Sequence, residues 1–148
     1  MAFAHRVDSE RGLIVWYFAG RTNSEADWQA YCDTFAPADA LGLRVAKPCG
    51  VLLVERENAM PDAKWRKRMA EASATLRSRP SVAFASASPL LRGMVTAVNW
   101  FRPPRYEFTI VSTFDEAIAW VEQRRDDAPG AALRRMLEEC KAEVGARA

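Results

Sequence analysis

The chain has 148 residues, of which 49% are apolar, and its twenty-one basic and nineteen acidic side chains leave a formal charge of +2. That length and apolar share fit one domain with a single core. The near-neutral balance excludes the strongly basic character of a typical nucleic-acid binder, so any electrostatic preference for a partner must be local.

Cys32, Cys49 and Cys140 are odd in number, widely spaced and free of any C-x-x-C pair, which implies neither a disulfide framework nor a thiolate metal site. No metal and no cofactor is expected. The N-terminal stretch MAFAHRVDSE reaches charged residues too soon for a signal peptide. The longest apolar run, Leu13 to Ala19, is too short to cross a bilayer, so the expectation is a cytoplasmic protein without a transmembrane segment.

In chain order, Phe3 to Val7 and Leu13 to Ala19 flank the polar turn DSERG and are expected to pair as an antiparallel hairpin. Leu13, Val15 and Tyr17 alternate with Ile14, Trp16 and Phe18, so the second strand is apolar on both faces and belongs in the middle of a sheet. Thr22 and Glu25 form a capping box in the sequence, followed by Trp28, Tyr31, Cys32 and Phe35 on one helical stripe. The segment from Pro37 to Gly50 reads as a loop with a short turn of helix. Val51 to Val54 is a buried parallel strand, and Pro61 is expected in the first turn of the next helix. Trp65, Met69, Ala72 and Leu76 make that helix's inner stripe, and Pro80 ends it.

Ser81 to Ala85 is a further buried strand, and Ser88-Pro89 is an N-cap with a first-turn proline opening the helix SPLLRGMVTAVNWF. Tyr106, Phe108 and Ile110 alternate with Glu107, Thr109 and Val111 in a last strand. Thr113 and Glu116 make a second capping box, for a helix with Phe114, Ala117, Ile118 and Val121 inward. After the linker DDAPG, a final amphipathic helix carries Leu133, Met136, Leu137, Cys140 and Val144. The predicted architecture is an α/β layered domain with a mixed, mostly parallel five-stranded sheet in the order ββαβαβαβα plus a C-terminal helix. The domain is placed over residues 1–125, with the linker and final helix over 126–148.

This order resembles the SpoIIAA-like, or STAS, superfamily. Gly20-Arg21-Thr22 before Glu25, and Phe114-Asp-Glu116-Ala117-Ile118-Ala119-Trp120, are similar to motifs of a branch likened to lipid-transfer proteins. The anti-sigma-antagonist members carry a phosphorylatable serine after the third strand. The corresponding stretch here, Glu55-Arg-Glu-Asn-Ala-Met-Pro61, has no serine or threonine, so that switch does not carry over. The resemblance implies a regulatory domain that binds a protein partner, or a small apolar ligand between sheet and helices, and catalyses nothing.

The residues themselves offer little for catalysis. His5 is the sole histidine and lies in a strand; Cys32 and Cys140 fall on apolar stripes; no glycine-rich phosphate loop is present. Glu55 and Glu57 project to one side of a strand end and read as solvated carboxylates, with an unrecognised enzyme built on one of them as the weakest alternative. Lys64, Arg66, Lys67 and Arg68 crowd one helix start, where cations oppose the macrodipole. They form either a solvated face or a patch for an anionic surface, and nucleic acid is not expected. Trp16, Trp28, Trp65 and Trp120 are read as core. On the SPLLRG helix, Leu90, Leu91, Met94, Val95, Val98 and Phe101 make the inner stripe, while Arg92, Thr96 and Asn99 share the opposite face. Gly93 costs the helix about 1 kcal/mol against alanine, which implies close approach by another backbone or another chain, or a crossing too tight for a side chain, and Trp100 ends the helix partly exposed. Arg92, Gly93, Thr96, Asn99 and Trp100 are the candidate surface for a protein partner or self-association.

Overall fold

The computed structural model describes residues 2–20, 23–59 and 61–147. Its sheet is built around β2 (Leu13–Phe18), all six residues of which are buried. β1 (Phe3–Asp8) pairs with it antiparallel, while β3 (Cys49–Val54), β4 (Ser81–Ala85) and β5 (Phe108–Val111) follow parallel, in the spatial order β1-β2-β3-β4-β5. Each parallel step needs a crossover. These are α1 (Glu25–Asp33) with α2 (Phe35–Gly42), then α3 (Ala63–Ala74), then α4 (Pro89–Phe101).

The period-two alternation of β2 sorts the molecule into two cores. Ile14, Trp16 and Phe18 meet the crossover helices through Trp28, Phe35, Trp65 and Leu91. Leu13, Val15 and Tyr17 meet α5 (Phe114–Glu122) and α6 (Gly130–Ala146) on the other face, through Ile118, Val121, Leu133 and Met136. The expected mixed α/β sheet and the order of its elements are therefore present. The C-terminal helix packs on its own sheet, where Arg6 donates to Glu143 at 3.0 Å and Arg147 to the Phe3 carbonyl at 2.8 Å.

Several boundaries differ from expectation for physical reasons. Thr22 lies outside the described residues, and α1 is capped instead by Ser24. The Ser24 hydroxyl accepts the Asp27 N–H, and the Asp27 carboxylate accepts the Ser24 N–H. Asp27 also receives the Ala2 N–H, so its burial to 2% exposure is compensated by donors. The stretch read as a loop contains α2, because Pro37 is its third residue, where the helix needs no N–H from it. Pro61 stands outside α3, whose N-cap is Asp62, accepting the Trp65 N–H at 3.0 Å. α3 stops at Ala74, before Leu76 and Pro80, and β3 begins at Cys49.

Gly50 in β3 is required by its neighbour. A Cβ there lies 2.6 Å from Cζ3 and 2.9 Å from Cη2 of Trp16, a ring wedged in the upper core. Gly50→Ala is expected to lower unfolding stability by about 1–3 kcal/mol through overpacking. Leu133→Ala, at a fully buried α6 position, should cost about 2–5 kcal/mol. Urea denaturation of both variants checks this; losses below half a kilocalorie would contradict the packing described.

Candidate functional site

Helix α4 is pinned at its start and loose thereafter. The Ser88 hydroxyl accepts the Leu91 N–H at 3.2 Å, and Ser88 N–H in turn reaches the Ser86 hydroxyl at 3.2 Å. Only Leu91 of this helix is fully buried. Met94, Val95 and Val98 are half-buried, whereas Leu90 and Phe101, expected on the inner stripe, are 69% and 89% exposed. The helix thus stands off the sheet and leaves a cavity of about 140 Å³ beneath it. Trp16, Phe84 and Phe108 form its floor, and Tyr31, Met69 and Met94 contribute walls from α1, α3 and α4. An apolar cavity of roughly 150 Å³ is large enough to hold a benzene-sized molecule and stays dry when empty.

A few polar groups interrupt this lining. The indole N–H of Trp28 is buried without an acceptor among the described residues, whereas Trp16 donates to Thr34 at 2.8 Å and Trp65 to Glu25 at 3.1 Å. Burial pushes the Tyr31 phenol well above its ordinary pKa, with Tyr106 and Cys32 adding to the effect. Burial likewise raises Tyr106, which the Ser73 hydroxyl partly offsets. Both phenols are therefore neutral donors at physiological pH. Arg66 reaches the lining from α3; it donates to the Pro61 carbonyl at 2.7 Å and has no carboxylate partner among the described residues. Trp28 and Arg66 mark the end of the cavity where α1 meets α3, since Trp28 packs on Trp65 at 6.0 Å.

The residues singled out from sequence divide. Asn99 lines the cavity and also a surface groove against β5 that Thr96 and Trp100 share. Trp100 is 82% exposed, as its place at the helix end implied. Arg92 is not free, because its guanidinium donates to the Ser86 carbonyl at 2.7 Å and holds α4 to the end of β4. Gly93 faces open space with no atom within 4 Å of a Cβ built there, so no close approach within the chain explains it. Of the basic patch, Lys64 and Lys67 are solvated, Arg68 lies 4.8 Å over the Trp65 ring, and Arg66 turns to the cavity. Lys64, Lys67 and Arg68 share one exposed side of α3, and Arg66 is apart from them. Trp28, Tyr31 and Tyr106 are the functional candidates that periodicity had assigned to core or strand.

Elsewhere the groups with chemical potential are engaged or quiet. Glu55 accepts the Tyr17 hydroxyl at 3.0 Å, and Glu57 is exposed. Burial pushes the Cys140 thiol up to about 11 and raises Cys32 and Cys49, so all three are protonated near neutral pH. Among the described residues no cluster of His, Cys, Asp and Glu could hold a metal ion. The same residues contain no helix long and apolar enough to cross a membrane. The fold and its cavity thus define an α/β domain with an internal apolar site. Comparison with protein-family models, with curated proteins and with solved structures finds no match to the chain.

The phenols give a direct check. Tyr31→Phe removes a hydroxyl with no hydrogen bond to a described residue and should change stability by less than about 0.5 kcal/mol, whereas Tyr17→Phe loses the bond to Glu55 and should cost about 1 kcal/mol. Equal losses in urea titrations of the two variants would remove Tyr31 as an unpaired donor.

Proposed function

We propose that the protein is a non-enzymatic binding domain for a small, mostly apolar molecule with one carbonyl or carboxylate end, held between the sheet and α1, α3 and α4. The observation that carries this reading is an apolar cavity of about 140 Å³ lined by Trp16, Tyr31, Met69, Met94 and Phe108, with Arg66 at one end. An apolar molecule seated against this lining gains about 25 cal/mol for each Å² of apolar surface removed from water. Arg66, a cation without a carboxylate partner among the described residues, supports an anionic end such as a fatty-acid carboxylate.

The magnitudes are adequate. Burying six to eight methylenes is worth roughly 5–6 kcal/mol, and each hydrogen bond adds about 1 kcal/mol. After an association cost of at least about 4 kcal/mol, about 3–4 kcal/mol remains, which corresponds to dissociation constants in the millimolar range. The reading agrees with the SpoIIAA-like resemblance in its lipid-transfer-like branch, which we retain as part of the proposal. A STAS-like protein-partner surface on α4 has narrower support: of its five residues, Arg92 is already tied to Ser86, and Trp100 is the large exposed group.

Titration with a dansyl-labelled fatty acid, alongside native mass spectrometry of the purified chain, tests the proposal. Saturable fluorescence enhancement is expected. The double substitution Ala70→Leu with Val95→Phe, which fills the cavity from α3 and α4, should weaken it at least tenfold while circular dichroism and melting are retained. A wild-type chain that takes up no probe and carries no small-molecule mass would overturn the reading.

A further inference from the structure

The parallel order of β3, β4 and β5 brings three loops together at the end of the sheet where these strands begin. Ser81 N–H donates to the Pro48 carbonyl and Val82 N–H to the Glu107 carbonyl, so the loops before the three strands lie side by side. Residues 43–48, 75–80 and 102–106 contain Arg44, Lys47, Arg77, Arg79, Arg102 and Arg105 and no acidic residue. All six cations are exposed. Among the described residues one of them is in an ion pair, Arg102 with Glu71 at 3.7 Å.

Most nearby carboxylates have partners, while Glu10 and Asp126 are exposed with no ion pair among the described residues. Asp39 accepts the N–H groups of Arg77 and Ser78, Glu107 pairs with Arg124 at 2.6 Å, and Asp127 pairs with Arg125 at 2.7 Å. On the hairpin at the same end, Asp8 lies 3.9 Å from Arg11, and Glu10 is exposed. The same end carries most of the large apolar side chains left in solvent. Trp100 and Phe101 are 82% and 89% exposed, Leu43 is 59% exposed, and Val7, at the hairpin end of β1, is 40% exposed.

From this juxtaposition we propose that this end of the sheet docks on an anionic lipid bilayer, with Trp100, Phe101 and Leu43 entering the headgroup region and the six cations facing its phosphates and carboxylates. Tryptophan with flanking arginine is the composition that lies stably at a membrane interface, where an apolar body meets a polar layer. Juxtamembrane cations add affinity for anionic lipid that falls with salt. A nucleic-acid face would use the aromatic pair as stacking platforms but has no use for exposed Leu43 and Val7.

The docking surface is continuous with the cavity, because Asn99, Tyr106 and Phe108 border both the cavity and the groove holding Trp100. An amphiphile leaving the leaflet polar end first would reach Arg66 and Trp28 at the far end of the cavity, its tail following. The membrane therefore names the source of the ligand. This inference rests on the cavity reading only for that last step; the docking itself does not need the cavity.

The test is cosedimentation of the full chain with phosphatidylcholine vesicles, with and without phosphatidylserine, read together with tryptophan fluorescence. Phosphatidylserine vesicles should bind at least tenfold better than neutral ones, with a blue shift and a loss of binding at high salt. Trp100→Ser with Phe101→Ser should abolish the blue shift and weaken binding at least tenfold, and Arg102→Glu with Arg105→Glu should weaken it comparably. Lys64→Glu with Lys67→Glu, at the opposite end of the strands, should leave binding within twofold. The cavity-filling pair Ala70→Leu and Val95→Phe should still bind vesicles; if it does while no variant or wild type takes up the fatty-acid probe, the cavity reading fails and the docking surface stands. No binding to phosphatidylserine vesicles overturns the proposal. So does binding that ignores both tip variants, tight binding of a single-stranded oligonucleotide in their place, or a concentration-dependent dimer that the serine variant abolishes.

Discussion

The structure depends on one strand that is buried on both faces. β2 has no solvent side, so two separate layers must cover it, and each must match three of its side chains. The antiparallel partner β1 closes one edge, and α6 returns from the end of the chain to close the face that the crossovers leave bare. The long-range pairs Arg6 with Glu143 and Arg147 with the Phe3 carbonyl mark that closure. The C-terminal helix is thus a structural layer, and its apolar stripe is used up in the monomer.

The two faces are filled differently, and this asymmetry creates the site. Under α5 and α6 the central strands present small or branched groups, Cys49, Val51, Ala83 and Ala85, so helices approach closely and the layer is dry. On the crossover face Trp16, Phe18 and Phe84 stand up from the sheet and hold α4 away, with Leu91 its one fully buried contact. Arg92 and the Ser88 cap fix one end of α4 at the end of β4, whereas the other end, with Trp100 and Phe101, meets α3 through the exposed pair Arg102 with Glu71 at 3.7 Å. Large side chains on a floor, roofed by a helix anchored at one end, leave space that no side chain of the described residues fills.

Most of the fold was legible because its signals are local. The alternation in β2, the Ser88-Pro89 start and the Thr113 cap each lie within a few residues and match what forms. The misplaced boundaries have physical origins. At α1 the cap that forms is Ser24 with Asp27, and that aspartate also receives the Ala2 N–H, a contact made by a residue distant in sequence that no local pattern shows. Pro37 was read as an interruption because proline is tolerated in a first helical turn yet breaks later ones, and sequence alone does not tell which turn it occupies.

The site was less legible, since a cavity is defined by what is missing between elements. Trp28, Tyr31 and Tyr106 look like core by periodicity, and only the assembled layer shows an indole without an acceptor and phenols at the edge of a space. Net charge misled in a related way. A formal charge of +2 over the whole chain hides three short stretches, separated by about thirty residues each, that hold cations and no carboxylate. Only the sequential order of parallel strands, which sets the start of each beside the start of the next, turns those separate stretches into one surface. The Lys64 to Arg68 cluster is a partial contrast: contiguous in sequence, it is split by the helix, with Lys64, Lys67 and Arg68 exposed on one side and Arg66 turned to the cavity. For this topology, proximity along the chain is a poor guide to a shared surface, and proximity at strand starts is a good one.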